Sequence, residues 1–218
     1  MNQKIAGLYA IADTRYLDDA RLLPAVRAAI EGGARVVQYR DKSDNAEQRQ
    51  RQARALAVLC RDAHVTFLIN DDIALAKLVA ADGVHLGRDD VPLPVARDQL
   101  GTHAVIGVSC YNELERARNA HAQGADYVAF GSFFPSRTKP DAVRATTELL
   151  HQARETLRLP IVAIGGITPD NGAALIAAGA DALAVIEGLF GQPDARAAAL
   201  RYTRLFKPTA SEIRTARP

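Results

Sequence analysis

Several polar residues follow short apolar runs at spacings that would let them act together on an anionic ligand. In QYRDK, alternation along an extended chain puts Gln38, Arg40 and Lys42 on one side and Tyr39 and Asp41 on the other. Two cations and an amide on one face suit a polyanion, because arginine grips phosphate through two parallel donors and lysine adds a mobile point charge. Pairing with surface carboxylates is the other reading of that segment. Asp71 in NDD and Asp90 in HLGRDD offer the hard oxygen ligands that hold magnesium when phosphate oxygens and water complete its shell. Helix capping competes for the same carboxylates: Asp71 or Asp72 would cap IALAKLVAA, and Asp89 or Asp90 the short helix after Pro92.

Further along, GSFFPSRTKP carries two hydroxyls and two cations in four residues, Ser136, Arg137, Thr138 and Lys139, a composition that with its backbone N–H groups would cradle phosphate. An ordinary solvated loop is the competing reading. In IGGITPDN, Gly165 and Gly166 permit close backbone approach, and Thr168, Asp170 or Asn171 can start a helix. His85, between apolar neighbours, reads as a hydrogen-bonded structural histidine, while His64 and His121 fall on helical surfaces. No Ser-His-Asp or Cys-His order stands out, and Cys60 reads as a small buried apolar group.

Eight Val- and Ile-rich runs must position these residues. They are GLYAIAD, RVVQYRD, VTFLIND, GVHLG, AVIGVSC, YVAFGSFF, IVAIGG and ALAVIEG, starting at Gly7, Arg35, Val65, Gly83, Ala104, Tyr127, Ile161 and Ala182. Between them lie stretches with helical apolar spacing, such as Leu22 to Glu31, Asn45 to Asp62, Asn112 to Gln123, Arg144 to Leu157 and Asn171 to Ala178. The returns to the strands share one chemistry, EGGARVV, AADGVHL, AQGADYV and AAGADAL; in three of them glycine follows the last helical residue, where it can take the left-handed conformation. That recurrence predicts a repeated βα unit. Eight of them predict a single-domain (β/α)8 TIM barrel, with an open doubly wound sheet as the alternative. The barrel is expected over 1–206, followed by a loosely held tail over 207–218. Active sites of such barrels lie at the carboxyl ends of the strands, where the polar residues above collect, and that convergence of cations with carboxylates favours a metal-bound anion.

The chain has 218 residues, 48% hydrophobic and 24% charged, the proportions of an ordinary soluble domain. Twenty-seven Lys and Arg against 25 Asp and Glu leave a formal charge of +2, which argues against nucleic acid as a partner. There is no run of about 18 apolar residues to span a membrane, no secretory signal pattern, and only two cysteines, neither in a metal-ligand spacing. A soluble, cytoplasmic protein is expected, and an oligomer is compatible with all of this.

Taken in order, QYRDK, NDD, DGVHLGRDD, GVSC, GSFFPSRTK and IGGI resemble the thiamine-phosphate synthase family, over nearly the whole stretch from GLYAIAD to AVIEGLF. The resemblance implies a magnesium-assisted transferase that joins 4-amino-5-hydroxymethyl-2-methylpyrimidine diphosphate to a thiazole phosphate, giving thiamine phosphate and pyrophosphate. It further implies that Gln38, Tyr39, Arg40, Asp41 and Lys42, with Asn70, Ser109 and Lys139, bind the pyrimidine diphosphate. Arg40, Lys42, Ser109 and Lys139 would be the catalytic groups and Asp71 and Asp90 the magnesium ligands. Ser136, Arg137 and Thr138, then Gly166, Ile186 and Glu187, would meet the thiazole phosphate. Two positions depart from the family pattern: Ser136 stands where threonine is commoner, which keeps the hydroxyl, and Glu187 where a small residue is usual, which leaves the backbone as the donor. The related thiazole tautomerase, and a barrel that binds a phosphorylated ligand without turnover, are the alternatives. The tautomerase would have little use for Asp71, Asp90 and the Gln38, Arg40, Lys42 face together.

Overall fold

Short strands that are apolar on both faces need cover on both, either from helices on the two sides of an open parallel sheet or from helices outside a sheet closed on itself. The computed structural model, which describes residues 5–135 and 143–206, reaches the closed solution. In chain order the elements are β1 (Gly7–Asp13), α1 (Asp19–Glu31), β2 (Ala34–Arg40), α2 (Ala46–Asp62), β3 (Thr66–Asn70), α3 (Ile73–Val79), β4 (Gly83–Leu86), α4 (Leu93–Leu100), β5 (Val105–Tyr111), α5 (Leu114–Ala122), β6 (Tyr127–Phe130), α6 (Thr147–Thr156), β7 (Ile161–Ile164), α7 (Gly172–Ala177), β8 (Ala182–Val185), α8 (Glu187–Phe190) and α9 (Ala195–Arg204). Each strand pairs in parallel with the next, and β8 pairs with β1, closing an eight-stranded (β/α)8 barrel in one domain. The stretch 207–218 lies outside the described residues. No described helix is long and apolar enough to cross a membrane.

Alternation divides the apolar residues between two cores. Tyr9, Ile11, Val36, Leu68, Val105, Tyr127, Ala129, Val162, Ala182 and Ala184 point into the barrel, with Ile5 beneath them. The intervening residues, such as Ala10, Val37, Ile69, Val84 and Val128, face the helices. Volume inside is shared between unequal partners: a Cβ on Gly107 of β5 would lie 1.9 Å from Cζ of Tyr127, so the bare glycine is what admits the tyrosine ring.

The base of the barrel is tied by a device that recurs. Asp82, Asp126 and Asp181, each just before an even-numbered strand, accept from the backbone N–H of Phe67 (2.8 Å), Ile106 (2.8 Å) and Ile161 (2.7 Å) at the start of the preceding strand. Arg97 and Arg154 pair with the second and third of these carboxylates and donate to the carbonyls of Gly124 and Gly179. This gives physical content to the repeated GAD segments of the sequence. Gly33, Gly124 and Gly179 do have positive φ, whereas Ala80 (φ 51°) takes that role before β4 and leaves Gly83 inside the strand.

Two strands stop earlier than their apolar runs. Beyond Phe130 the backbone changes partners: Phe133 N–H donates to the Ile164 carbonyl (3.2 Å) and Phe134 N–H to that of Gly165 (3.0 Å), laying the loop across the exit of β7. After Val185 the Ile186 carbonyl accepts from Leu189 and Phe190 N–H, so IEG opens the short helix α8 instead of prolonging β8.

Asp181 serves both a backbone donor and Arg154. Replacing it by alanine should therefore cost about 1–3 kcal/mol, the range for stranding a partly buried donor. A lower urea midpoint at unchanged m-value, with activity retained by the folded fraction, is the expected result.

Candidate active site

The carboxyl ends of β1 to β5 bring most of the sequence-derived candidates to one mouth. Gln38 and Arg40 face the barrel axis from β2. Tyr39 and Asp41 face the other way, where the Tyr39 hydroxyl donates to Gln52 Oε1 (2.6 Å) and Asp41 Oδ2 (3.1 Å), and Asp41 also accepts from Ser43 N–H (2.8 Å). Burial pushes the Tyr39 phenol well above its ordinary range. These two residues buttress the wall against α2, and their side chains do not join the group at the mouth.

Lys42 pairs with the Asp71 carboxylate, which also accepts from Asn70 Nδ2 at 2.7 Å. Capping of α3 falls to Asp72, whose Oδ1 accepts from Leu75 N–H (2.8 Å) while Oδ2 pairs with Arg49 (2.6 Å). Asp71 is turned by a positive φ of 55°, with its N–H on the His85 carbonyl at 2.9 Å, so its carboxylate is left to the mouth. Neither Asp89 nor Asp90 caps α4, which starts behind Pro92 with no side-chain cap. Asp90 Oδ2 instead accepts from Gly87 N–H at 2.6 Å and braces the loop that leaves β4. Asp71 and Asp90 thus lie on the exits of the paired strands β3 and β4. Among the described residues no group of three or more His, Cys, Asp or Glu could hold a metal ion, and Asp71 and Asp90 are a pair of carboxylates. That donor set fits a cation whose remaining ligands are phosphate oxygens and water.

Below the mouth a chain of polar groups crosses the lumen. Gln38 Nε2 donates to the Tyr9 hydroxyl (2.6 Å), which bonds the Tyr127 hydroxyl (2.9 Å). Tyr127 bonds His85 Nδ1 (2.8 Å), and His85 Nε2 bonds Ser109 Oγ (2.8 Å). The His85 ring also stacks on Tyr127 with centroids 5.6 Å apart. Burial pushes both phenols above their usual range, so they remain protonated and able to donate. His85 is therefore a structural histidine, and the chain it belongs to holds Gln38 on one wall and Ser109 on the other. Arg116 on α5 adds donations to the carbonyls of Ser109 (2.7 Å) and Gly87 (3.2 Å), tying the exits of β5 and β4.

Asp13, at the end of β1, escapes a reading of the polar runs alone. It is 1% exposed and accepts from Arg40 Nη1 (2.5 Å), Arg15 Nη2 (2.8 Å) and Arg15 N–H (3.0 Å). Burial raises its carboxyl, but the hydrogen bonds and charges of Arg15 and Arg40 outweigh that and hold it below the usual carboxylate range. The signal was available, since Asp13 closes an apolar run just as Arg40 and Asn70 do. Tyr9 and Tyr127 were equally visible as polar-tipped residues at inward strand positions.

On the opposite side, Gly165 and Gly166 leave β7 with φ of 104° and 60°, and a Cβ on Gly166 would lie 2.3 Å from the Pro135 carbonyl oxygen. The adjoining turn is closed by Asn171 Oδ1, which accepts from Thr168 N–H at 2.8 Å. Ile186 caps α8 and the partly buried Glu187 opens it. Ser136, Arg137, Thr138 and Lys139 lie outside the described residues.

Removing the Tyr127 hydroxyl with Tyr127→Phe strands the Tyr9 and His85 groups on either side. A loss of about 1–3 kcal/mol in urea unfolding is expected. The depressed Asp13 carboxyl sets a second expectation. Its stabilising contribution is complete above the unfolded value of about 3.9 and is lost as pH falls through the lower folded value. The stability gap between the wild type and Asp13→Asn should accordingly be open at pH 6 and shrink on acidification; a gap of constant size would contradict it.

Comparison with known proteins identifies the family. A family model described as thiamine monophosphate synthase matches residues 8–189. A thiamine-phosphate synthase from Nitrosococcus oceani is 52% identical over 206 residues, covering 94% of this chain and 95% of the relative. One from Thiobacillus denitrificans is 54% identical over 207 residues, covering 94% and 97%. The solved structure of thiamine phosphate pyrophosphorylase from Pyrococcus furiosus superposes with a TM-score of 0.83 at 35% identity, covering 92% of this chain and 95% of that one. With its barrel, its mouth of opposed charges and this breadth of similarity, the chain belongs to the thiamine monophosphate synthase family.

Proposed function

We propose that this barrel mouth joins a pyrimidine methyl diphosphate to a thiazole phosphate, releasing pyrophosphate and forming thiamine phosphate. The chain is a transferase of the thiamine-phosphate synthase kind, and its relatives at about 50% identity carry that name, not that of a tautomerase or a ligand carrier. The observation that carries the residue assignment is that Arg40 and Lys42 share adjacent strand exits with Asp71 and Asp90, with Lys42 paired to Asp71. Cations alone would suit any anion; cations interleaved with carboxylates suit a metal-bound diphosphate.

The bond from the pyrimidine methylene carbon to the diphosphate oxygen breaks, with the electron pair leaving on the diphosphate. The thiazole nitrogen lone pair then forms the new carbon–nitrogen bond and the ring becomes a thiazolium. Arg40 and Lys42 bind the diphosphate and offset the charge that grows on it, and Lys139 is assigned to the same task. Asp71 and Asp90 would hold a magnesium ion, which would supply further neutralisation of the leaving group. Gln38, Asn70 and Ser109 orient the pyrimidine, two of them from the ends of the lumen chain. Ser136, Arg137, Thr138, Gly166 and the backbone at Ile186 and Glu187 take the thiazole phosphate. No proton has to be removed by a side chain. Catalysis is then positioning plus electrostatics. Cytoplasmic residence suits the two free, buried cysteines, whose thiols burial pushes up to about 12.

Incubation of the purified chain with both substrates and magnesium should release pyrophosphate. Asp71→Asn and Asp90→Asn should each lower the maximal rate by about a hundred- to a thousandfold, the equivalent of roughly 3–4 kcal/mol, with the fold unchanged by circular dichroism. Full activity in either variant sinks the metal assignment.

A further inference from the structure

Asp13 has no place in the chemistry above, yet it is among the few charged side chains of the molecule that are fully buried. A carboxylate beside the place where a diphosphate must bind repels that ligand, so its presence there costs affinity unless it does something a neutral residue could not. Its contacts say what. Asp13 and Arg40 are register partners on β1 and β2, and the Arg40 carbonyl accepts from Thr14 N–H at 3.0 Å, so the two backbones are fixed to each other. Oδ2 then accepts from Arg40 Nη1 at 2.5 Å. A guanidinium carries five donors in one rigid plane, so fixing one edge fixes the direction of the others. Arg15 approaches from the solvent side, with Nε and Nη2 on the carboxylate and its own backbone N–H on Oδ1. Its side chain is 49% exposed while that of Arg40 is 18% exposed, so the two cations hold Asp13 from the rim and from the lumen.

We propose that Asp13 is a positioning residue for the diphosphate site: it orients the Arg40 guanidinium across the barrel mouth, and Arg15 balances its remaining charge. This rests on the reading that Arg40 meets the diphosphate. The role has a consequence of unusual sign. If Asp13 acted only through its charge, Asp13→Asn would remove a repulsion and tighten the binding of an anion. If it acts by aiming Arg40, the same variant weakens that binding although the site has become more positive.

The test is calorimetric titration of the intact protein with inorganic pyrophosphate in excess magnesium, alongside steady-state kinetics with each substrate varied. Asp13→Asn should weaken pyrophosphate by about tenfold, the worth of one charge-assisted hydrogen bond. It should raise the Michaelis constant for the pyrimidine diphosphate and leave that for thiazole phosphate unchanged, a split that a general loss of structure would not produce. Asp13→Glu keeps the charge and both arginine partners but moves the carboxylate by one methylene; it should weaken pyrophosphate as well, and it serves if Asp13→Asn does not fold. In an Arg40→Ala background Asp13→Asn should cause no further weakening. Unchanged or tighter pyrophosphate binding in both Asp13 variants, with Arg40→Ala still weakening it, overturns the positioning role and spares the diphosphate site. Wild-type affinity in Arg40→Ala removes the diphosphate from this wall, and the proposal falls with it.

Discussion

Closure of the parallel sheet is the constraint on which everything else in this molecule depends. Once eight strands run the same way and the last pairs with the first, every inward side chain shares one narrow lumen and every strand exit shares one rim. Groups far apart in the chain are then forced together: Gln38 and Ser109 become the ends of one hydrogen-bonded chain, and Arg40 lies against Asp13. The lumen is narrow enough that hydrogen-bonded hydroxyls at Tyr9 and Tyr127 and a bare glycine at position 107 are needed to fill it without clash or unpaired polar groups.

That constraint also explains the charge pattern of the mouth. Carboxylates and cations alternate along the rim, with Arg15, Asp13 and Arg40 at the exits of β1 and β2 and Lys42 and Asp71 at those of β2 and β3. Each of these five groups is offset by a neighbour, which limits the self-repulsion that a purely cationic mouth would carry. The cost is that some cations are engaged within the protein. Arg40 is fixed by a buried partner, while Lys42 meets Asp71 on a flexible stem that is 52% exposed, so one cation is rigid and the other adaptable.

Much of this was legible in the sequence because it depends on period and punctuation. Period two along QYRDK separates Gln38 and Arg40 from Tyr39 and Asp41, and the GAD segments mark the starts of β6 and β8. The ends of β6 and β8 were not legible, because apolar residues continue through Phe133, Phe134 and Ile186 after the regular strand pairing stops. Nor could spacing choose between Asp71 and Asp72. The choice rests on a left-handed turn at Asp71 that gives the cap to its neighbour, and an NDD triplet does not encode which aspartate makes the turn. The place of Asp13 at the end of an apolar run is visible in the sequence, but its partners, one two residues away and the other on the next strand, acquire meaning only after the strands pair.

The tethers at the base of the barrel have a further implication. Asp82, Asp126 and Asp181 stitch β3 to β4, β5 to β6 and β7 to β8, whereas in GARVV the aspartate of GAD is replaced by Arg35, already inside β2. The barrel is thus fastened in consecutive strand pairs from the end remote from the mouth. These fasteners lie at the pole of the strands opposite the ligand-facing rim, so residues at the rim can be exchanged without loosening them. A scaffold arranged in that way is free to acquire new ligands while remaining the same barrel.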